Sequence, residues 1–285
     1  MRALVFVVAF AVSTQATAAS NDVNLLGLVK DGGVPDNEGF RALVRELGVV
    51  MTPTSLQPAE TTGQSGFDFG MDYTFHTMRF DEAYWQDTRE NPATPLLMTL
   101  GARARKGFVL PVPLTSEVEF GAQWLIDSQL LSMGTNVRVA LNEGFRFIPD
   151  IALQVGINRM VGNKDLDLLT VTAGGQISKG FGVMGSFNLC PFVGYQSIWV
   201  NGSSRILDTG PDDAANVGDN VVFAQVPLAA NRMDRVSLGL RFQIAVVHIT
   251  GGLDMNFVDA VAGTGAAGTD PDTLLQYSLR AGVAF

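Results

Sequence analysis

The chain has 285 residues, 47% of them hydrophobic and 16% charged, with a net charge of -9. That acidic balance excludes nucleic acid and attraction to anionic lipid as its main business, because phosphate binding needs clustered Lys and Arg. The longest uninterrupted apolar run, residues 3–12, is shorter than the roughly 20 residues a spanning helix requires, so a helical membrane protein is excluded as well.

The N-terminus reads as a secretory signal. Arg2 is a single-charge leader, residues 3–12 are the apolar stretch, and Ala16, Thr17 and Ala18 form a small-residue cleavage box. Residues 1–19 are therefore expected to be removed, with the mature chain starting near Ala19 or Ser20. Beyond it the chain meets an oxidising compartment, yet Cys190 is its single cysteine, so stability cannot come from cross-links.

Residues 20–65 differ in kind from the remainder of the chain. Phe40, Leu43, Val44 and Leu47 recur at helical spacing after the cap candidates Asp36 and Asn37, and Gly48 is placed to end the helix. Such a segment can plug a barrel from below or lie against its periplasmic rim; the plain alternative is a loosely ordered leader.

From residue 66 onward apolar residues alternate with polar or small ones, the period of a strand. In the first stretch Phe67, Phe69, Met71, Tyr73 and Phe75 share one face, and Asp68, Gly70, Asp72, Thr74 and His76 share the other. The pattern predicts ten strands, at 66–79, 95–105, 115–127, 130–142, 150–160, 165–178, 184–200, 234–244, 247–258 and 273–285. They exceed the usual five or six residues of soluble strands and match a tilted crossing of a bilayer. Charges in strand middles, Glu119, Arg138 and Arg280, suit a wet lumen behind a lipid-facing wall.

Connection lengths point the same way, since outer-membrane barrels pair short periplasmic turns with longer extracellular loops. The long connections 80–94, 201–233 and 259–272 fall at one end, and the shorter 106–114 and 143–149 at the other. Two places strain the reading. Residues 244–247 carry no Gly, Asn or Asp for a tight reversal, and Pro191 inside strand seven cannot donate to a ladder. The expected architecture is all-β: a transmembrane antiparallel up-and-down β-barrel of about ten strands over residues 66–285, preceded by a short, partly helical segment.

In the final strand Leu275, Tyr277, Leu279, Ala281, Val283 and Phe285 face one way, and Gln276, Ser278, Arg280, Gly282 and Ala284 the other. This resembles the C-terminal signature of bacterial outer-membrane β-barrel proteins, whose alternating apolar residues end on a terminal aromatic. The resemblance implies an outer-membrane location, contact with its lipid and lipopolysaccharide, and recognition of Tyr277, Leu279, Val283 and Phe285 by the barrel-assembly machinery. The short chain departs from the large trimeric porins, and no subfamily is assigned.

Candidate chemistry gathers inside the expected lumen. Pairing strands two and three about residues 106–114 sets Arg103 opposite Glu119 and Arg105 opposite Glu117. A two-residue turn at Ser128 and Gln129 then sets Glu119 opposite Arg138. With Arg280 these residues form a lumenal charge cluster. It reads either as a constriction that selects solutes or as ions neutralising one another in a filled barrel.

His76 and His248 fall at opposite ends of the strands, and His76 is about 13 Å from Asp72 along its own strand. No nucleophile elbow, HExxH, Walker loop or CxxC occurs, so no catalytic residue and no cofactor is assigned. Acidic residues in the long loops, Asp208, Asp212, Asp213, Asp219, Asp259, Asp270 and Asp272, are solvated loop positions or weak sites for hard cations, and the glycine-rich 263–268 reads as flexible. The functional expectation is a narrow channel or transport-related barrel for small solutes. The alternatives are a structural or surface-binding barrel whose loops meet a partner or lipopolysaccharide, and a barrel-housed hydrolase.

Overall fold

The computed structural model describes residues 21–89, 96–109, 114–145, 147–183, 187–209, 220–258 and 272–285. The signal reading therefore lies outside the described residues, as do Asp212, Asp213, Asp219, Asp259, Asp270 and the segment 263–268.

The wall is ten antiparallel strands: β1 (Phe67–Thr77), β2 (Leu96–Val109), β3 (Thr115–Leu125), β4 (Leu131–Asn142), β5 (Asp150–Val161), β6 (Leu166–Ser178), β7 (Phe187–Ser204), β8 (Arg232–Ile244), β9 (Val247–Val258) and β10 (Asp272–Ala284). Each pairs with its sequence neighbour, and β10 returns to β1, so the sheet closes on itself. At the seam Phe67 and Phe285 exchange two backbone hydrogen bonds, of 2.7 and 2.9 Å, and their rings stack with centroids 6.1 Å apart. Closure leaves no open edge in the wall, which a bilayer demands because lipid cannot satisfy an unpaired N–H or C=O. All ten expected strands are present, with ends displaced by a few residues.

Both strained places resolve. Ile244 pairs with Val247, so the β8–β9 reversal is the two residues Ala245 and Val246, with Ala245 at φ 50°. A positive φ at the first central residue is what a tight hairpin needs, and alanine supplies it under strain rather than glycine without. Pro191 lies just past the end of β6, whose last pairing with β7 is Ser178 with Phe192. Its carbonyl accepts from Lys179 N–H on that side, so the donor it lacks would have met no strand.

Two registers differ from expectation by two residues each. Arg105, not Arg103, is opposite Glu119, and Glu117 is opposite Gly107. Between β3 and β4 the loop is residues 126–129, closed by Leu125 N–H to Leu130 O with Asp127 at φ 57°, which sets Glu117 opposite Arg138 and Glu119 opposite Asn136. A slip of two keeps every side chain on its face, so alternation alone is blind to it.

Helix α1 spans Asn37–Met51 and sits in the lumen. Asp36 caps it, accepting from Gly39 N–H at 3.2 Å, as the sequence suggested. Burial raises the Asp36 carboxyl pKa, but the Gly39 N–H and the ammonium of Lys30 outweigh it and hold the group below its ordinary value. The expected stop at Gly48 is wrong. The helix runs on to Met51 and ends where Thr52 meets Pro53, because a residue before proline is pushed out of helical backbone. Gly48 has a packing duty instead: a methyl there would fall 2.7 Å from Val200 on β7, and one at Gly202 would fall 2.4 Å from Val44.

If Ala245 holds left-handed backbone under strain, Ala245→Gly should raise the barrel's stability by about 1 kcal/mol. Urea unfolding of the refolded protein in lipid vesicles checks this, the expectation being a higher midpoint at an unchanged slope.

Candidate functional site

The lumen has two zones, and the N-terminal segment matches each. At the end bearing the long loops, the inward residues of the wall are apolar: Leu97, Leu125, Met160, Leu168, Ile198, Val200, Met233, Val258 and Leu274 are all buried. Against them pack Phe40, Leu43, Val44, Leu47, Val50 and Met51 of α1. Burying a side chain of this kind contributes about 1.5–3 kcal/mol, so a helix placed here is held mainly by apolar contact.

The first loop folds over the same helix. Glu46 of α1 is fully buried and accepts from Tyr84 Oη (2.6 Å), Trp85 Nε1 (2.6 Å) and Arg79 Nε (2.5 Å). Burial and the neighbouring Glu46 carboxylate hold the Tyr84 phenol protonated, well above its ordinary pKa. The connection after β7, expected as solvated loop, also turns inward in its described parts. Leu207–Asp208 pairs with Asn220–Val221, and Phe223 is buried with its ring stacked 4.7 Å from Phe40.

Below Met51 the segment is extended and the wall around it is polar. Wall side chains donate to main-chain carbonyls of the last turn of α1, Arg235 to Val49 and Gln123 to Val50, and of the extended segment, Arg235 to Pro53, Arg103 to Thr54, Gln176 to Ser55 and Arg138 to Pro58. Side chains add to this, with Gln57 donating to Glu119 at 3.0 Å, Gln176 to Ser55 Oγ at 2.6 Å, and Arg241 in contact with Glu60. The segment leaves the lumen at the short-turn end, where Thr62 N–H meets Glu117 and Lys106 reaches the carbonyl of Ser65.

The structure brings the sequence-predicted charges into one buried ion network. Arg105 meets Glu117 at 3.1 Å and Arg103 meets Glu119 at 3.6 Å. Long side chains reach these partners diagonally, although the register is two residues off the one expected. Arg138 pairs with Glu117 at 3.2 Å rather than with Glu119. Arg280 lies 2.7 Å from Asp68 and 3.9 Å from Glu119.

Sequence reasoning missed the role of β1. Asp68 also binds Arg105 at 2.9 Å and faces His248 Nε2 at 2.7 Å, and Asp72 contacts Arg103. The signal was present, since Asp68 and Asp72 were already on the inward face beside the closing strand. His76, at the other end of β1, bonds the Thr99 hydroxyl at 2.8 Å rather than any carboxylate. A cavity of about 30 Å³ remains between Thr54, Gln57 and the wall residues Arg103 and Glu119, which is room for a water or two. No group of three or more His, Cys, Asp or Glu suited to a metal occurs among the described residues.

The outer face inverts this arrangement. Phe69, Met71, Phe120, Met133, Leu153, Val155, Leu240, Ile249 and Leu279 are exposed around the circumference, far more apolar surface than a water-facing protein carries. It is a transmembrane β-barrel of the outer-membrane type. Tyr277, Val283 and Phe285 lie on the same lipid-facing side of the closing strand.

No protein-family model matches the sequence, and no curated protein matches it. Among solved structures, Ail, the attachment invasion locus protein of Yersinia pestis, aligns at 11% identity over 78% of this chain and 99% of its own, with a TM-score of 0.27. The translocator domain of the autotransporter NalP from Neisseria meningitidis aligns at 10% identity over 78% and 88%, with a TM-score of 0.38. OmpT, an outer membrane protein of Vibrio cholerae, aligns at 11% identity over 66% and 61%, with a TM-score of 0.28. The assignment of this barrel rests on its own closure and its apolar exterior.

The network's energetics are testable against an exposed pair. Glu117→Gln leaves two buried arginines short of a counter-charge and is expected to lower stability by about 3–5 kcal/mol. Asp167→Asn, which breaks the exposed pair with Arg159 (2.8 Å), is expected to change it by less than about 1 kcal/mol. Urea midpoints of the two variants at equal slope make the comparison.

Proposed function

We propose that this barrel is sealed and that its working surface is the cap at the long-loop end, in a structural or surface-binding role, rather than a pore open at rest. The carrying observation is the occupied lumen. Helix α1 fills the half nearest the long loops, and the extended chain below it is bonded to the wall down to the short-turn end. A conducting barrel needs a continuous water path. Ten strands enclose little more than the eight-stranded interior that side chains alone fill, and a helix about 10–12 Å across takes up the surplus. On this reading the ions of the lumenal cluster neutralise one another and grip the plug; they do not select a solute.

The surface that remains for function is the cap over the loop end. It is built from residues 21–36, the Phe80–Asp87 region and the described parts of the connection after β7, and it exposes Leu26, Val34, Ile206 and Val222. Contact with lipopolysaccharide or with another surface molecule would take place there. The enclosure also argues against catalysis within the barrel. His76 has a hydroxyl for a partner, and the His248–Asp68 contact is buried among arginines.

In planar bilayers the wild-type protein is expected to give no conductance steps. Deletion of residues 37–65, with the heat-modifiable gel mobility of a folded barrel retained, is expected to give a steady conductance. Stable steps from the wild type would overturn the sealed-barrel reading.

A further inference from the structure

The direction in which the chain passes through its own lumen is fixed by contacts at both ends. At the long-loop end, Asn21 donates from its backbone to Asp127 O (2.9 Å) and from its side-chain amide to Ile126 O (2.7 Å). Asn24 N–H reaches Thr88 O at 2.8 Å, and the Asn37 side chain accepts from Ala224 N–H at 2.7 Å. At the short-turn end, Gly107 N–H bonds Gly66 O at 3.1 Å, immediately before β1 begins. Residues 21–36 therefore sit where the long loops are, residues 37–51 descend as α1, and residues 52–66 run down as extended chain to the opposite rim.

Long loops mark the extracellular end of such a barrel and short turns the periplasmic end. A chain delivered to the periplasm has its N-terminal segment on the wrong side for this arrangement. Something must carry residues 21–36 across the membrane, and the connecting stretch is found inside the lumen. We infer that the protein exports its own N-terminal segment through its barrel and displays residues 21–36 on the cell surface, leaving residues 37–66 as a stalk in the lumen. This rests on the sealed-barrel reading for its final state.

The wall is chemically suited to the task. Arg103, Gln123, Arg138, Gln176 and Arg235 each hold a main-chain carbonyl, a group that every residue of every sequence supplies, while Ser55, Gln57 and Glu60 are held by their side chains as well. The carbonyl contacts can be made by a moving chain at successive positions, and the contacts to Ser55, Gln57 and Glu60 add a grip at the final one. The apolar ring around Ile198, Val200 and Met233 then arrests the chain where α1 presents its own apolar residues, and the close fit of Gly48 on Val200 and of Gly202 on Val44 sets the stopping point.

Single cysteines at the two ends of the stalk test the topology. Asp31 and Gln64 are both exposed, and the native Cys190 is fully buried and gives little background. Asp31→Cys and Gln64→Cys are expressed in a Gram-negative host and treated with a membrane-impermeant maleimide, before and after permeabilisation of the outer membrane. The ratio of intact-cell to permeabilised labelling is expected to be near one for Asp31→Cys and near zero for Gln64→Cys, both variants keeping the heat-modifiable mobility of the folded barrel. Asp31→Cys that labels only after permeabilisation, or not at all, overturns the inference, as does Gln64→Cys that labels in intact cells. Conductance by the wild type would remove the sealed-barrel reading while leaving this labelling pattern expected, so the two failures are distinguishable.

Discussion

A polar group inside a membrane barrel has to find its partner inside the barrel. Lipid offers no hydrogen bonds, and a ten-stranded wall encloses too little space for a full complement of water. The arginines of β2, β4, β8 and β10 meet this constraint in two ways: against the carboxylates of β1 and β3, and against the backbone of the chain's own N-terminal segment. The plug and the ion network are thus one solution. Removing the plug would strand the guanidinium groups that bind its carbonyls, and removing the carboxylates would leave the wall with uncompensated buried charge.

The same constraint explains the two zones of the lumen. A helix satisfies most of its own backbone, the last-turn carbonyls of Val49 and Val50 excepted, and asks its surroundings chiefly for apolar contact, so it lies where Leu168, Ile198, Val200 and Met233 line the wall. Extended chain leaves its carbonyls unsatisfied and lies where arginine and glutamine can reach them. The change from one to the other occurs at Thr52 and Pro53, where proline forbids the helix to continue. Glu46, buried among Tyr84, Trp85 and Arg79, then ties the upper helix to the first loop and makes the cap part of the plug.

Most of the wall was legible in the sequence because lipid on one side and polar groups on the other leave both faces of a strand marked. Legibility failed where that contrast fails. At the loop end the inward residues, Leu97, Leu168, Ile198, Val200 and Met233 among them, are apolar because a helix lies on them, and there the polar mark of the inner face is lost. Registers were readable only to within two residues, since parity survives such a slip; the partners of Arg103 and Arg105 still came out right because arginine spans the diagonal. Helix α1 was visible as an apolar stripe after Asp36, and a plug was one of the places open to it, but its position at the loop end of the lumen was not readable. Burial of the whole circumference, Arg45 and Glu46 included, depends on partners scattered from residue 23 to residue 274. Pro53 and Pro58 were the unread sign that the helix gives way to extended chain, and Gly48 was read as a stop when it is a contact.

The central claim is that α1 lies inside the barrel, pressed on β7. A Cβ at Gly48 falls 3.4 Å from the Cβ of Val200, close to the spacing a disulfide needs. In a Cys190→Ser background, Gly48→Cys/Val200→Cys should form an intramolecular disulfide on mild oxidation in native membranes. The cross-link would be read as a reductant-sensitive shift in the mobility of the heat-denatured chain. A folded barrel in which both cysteines stay free and open to alkylation would contradict the account.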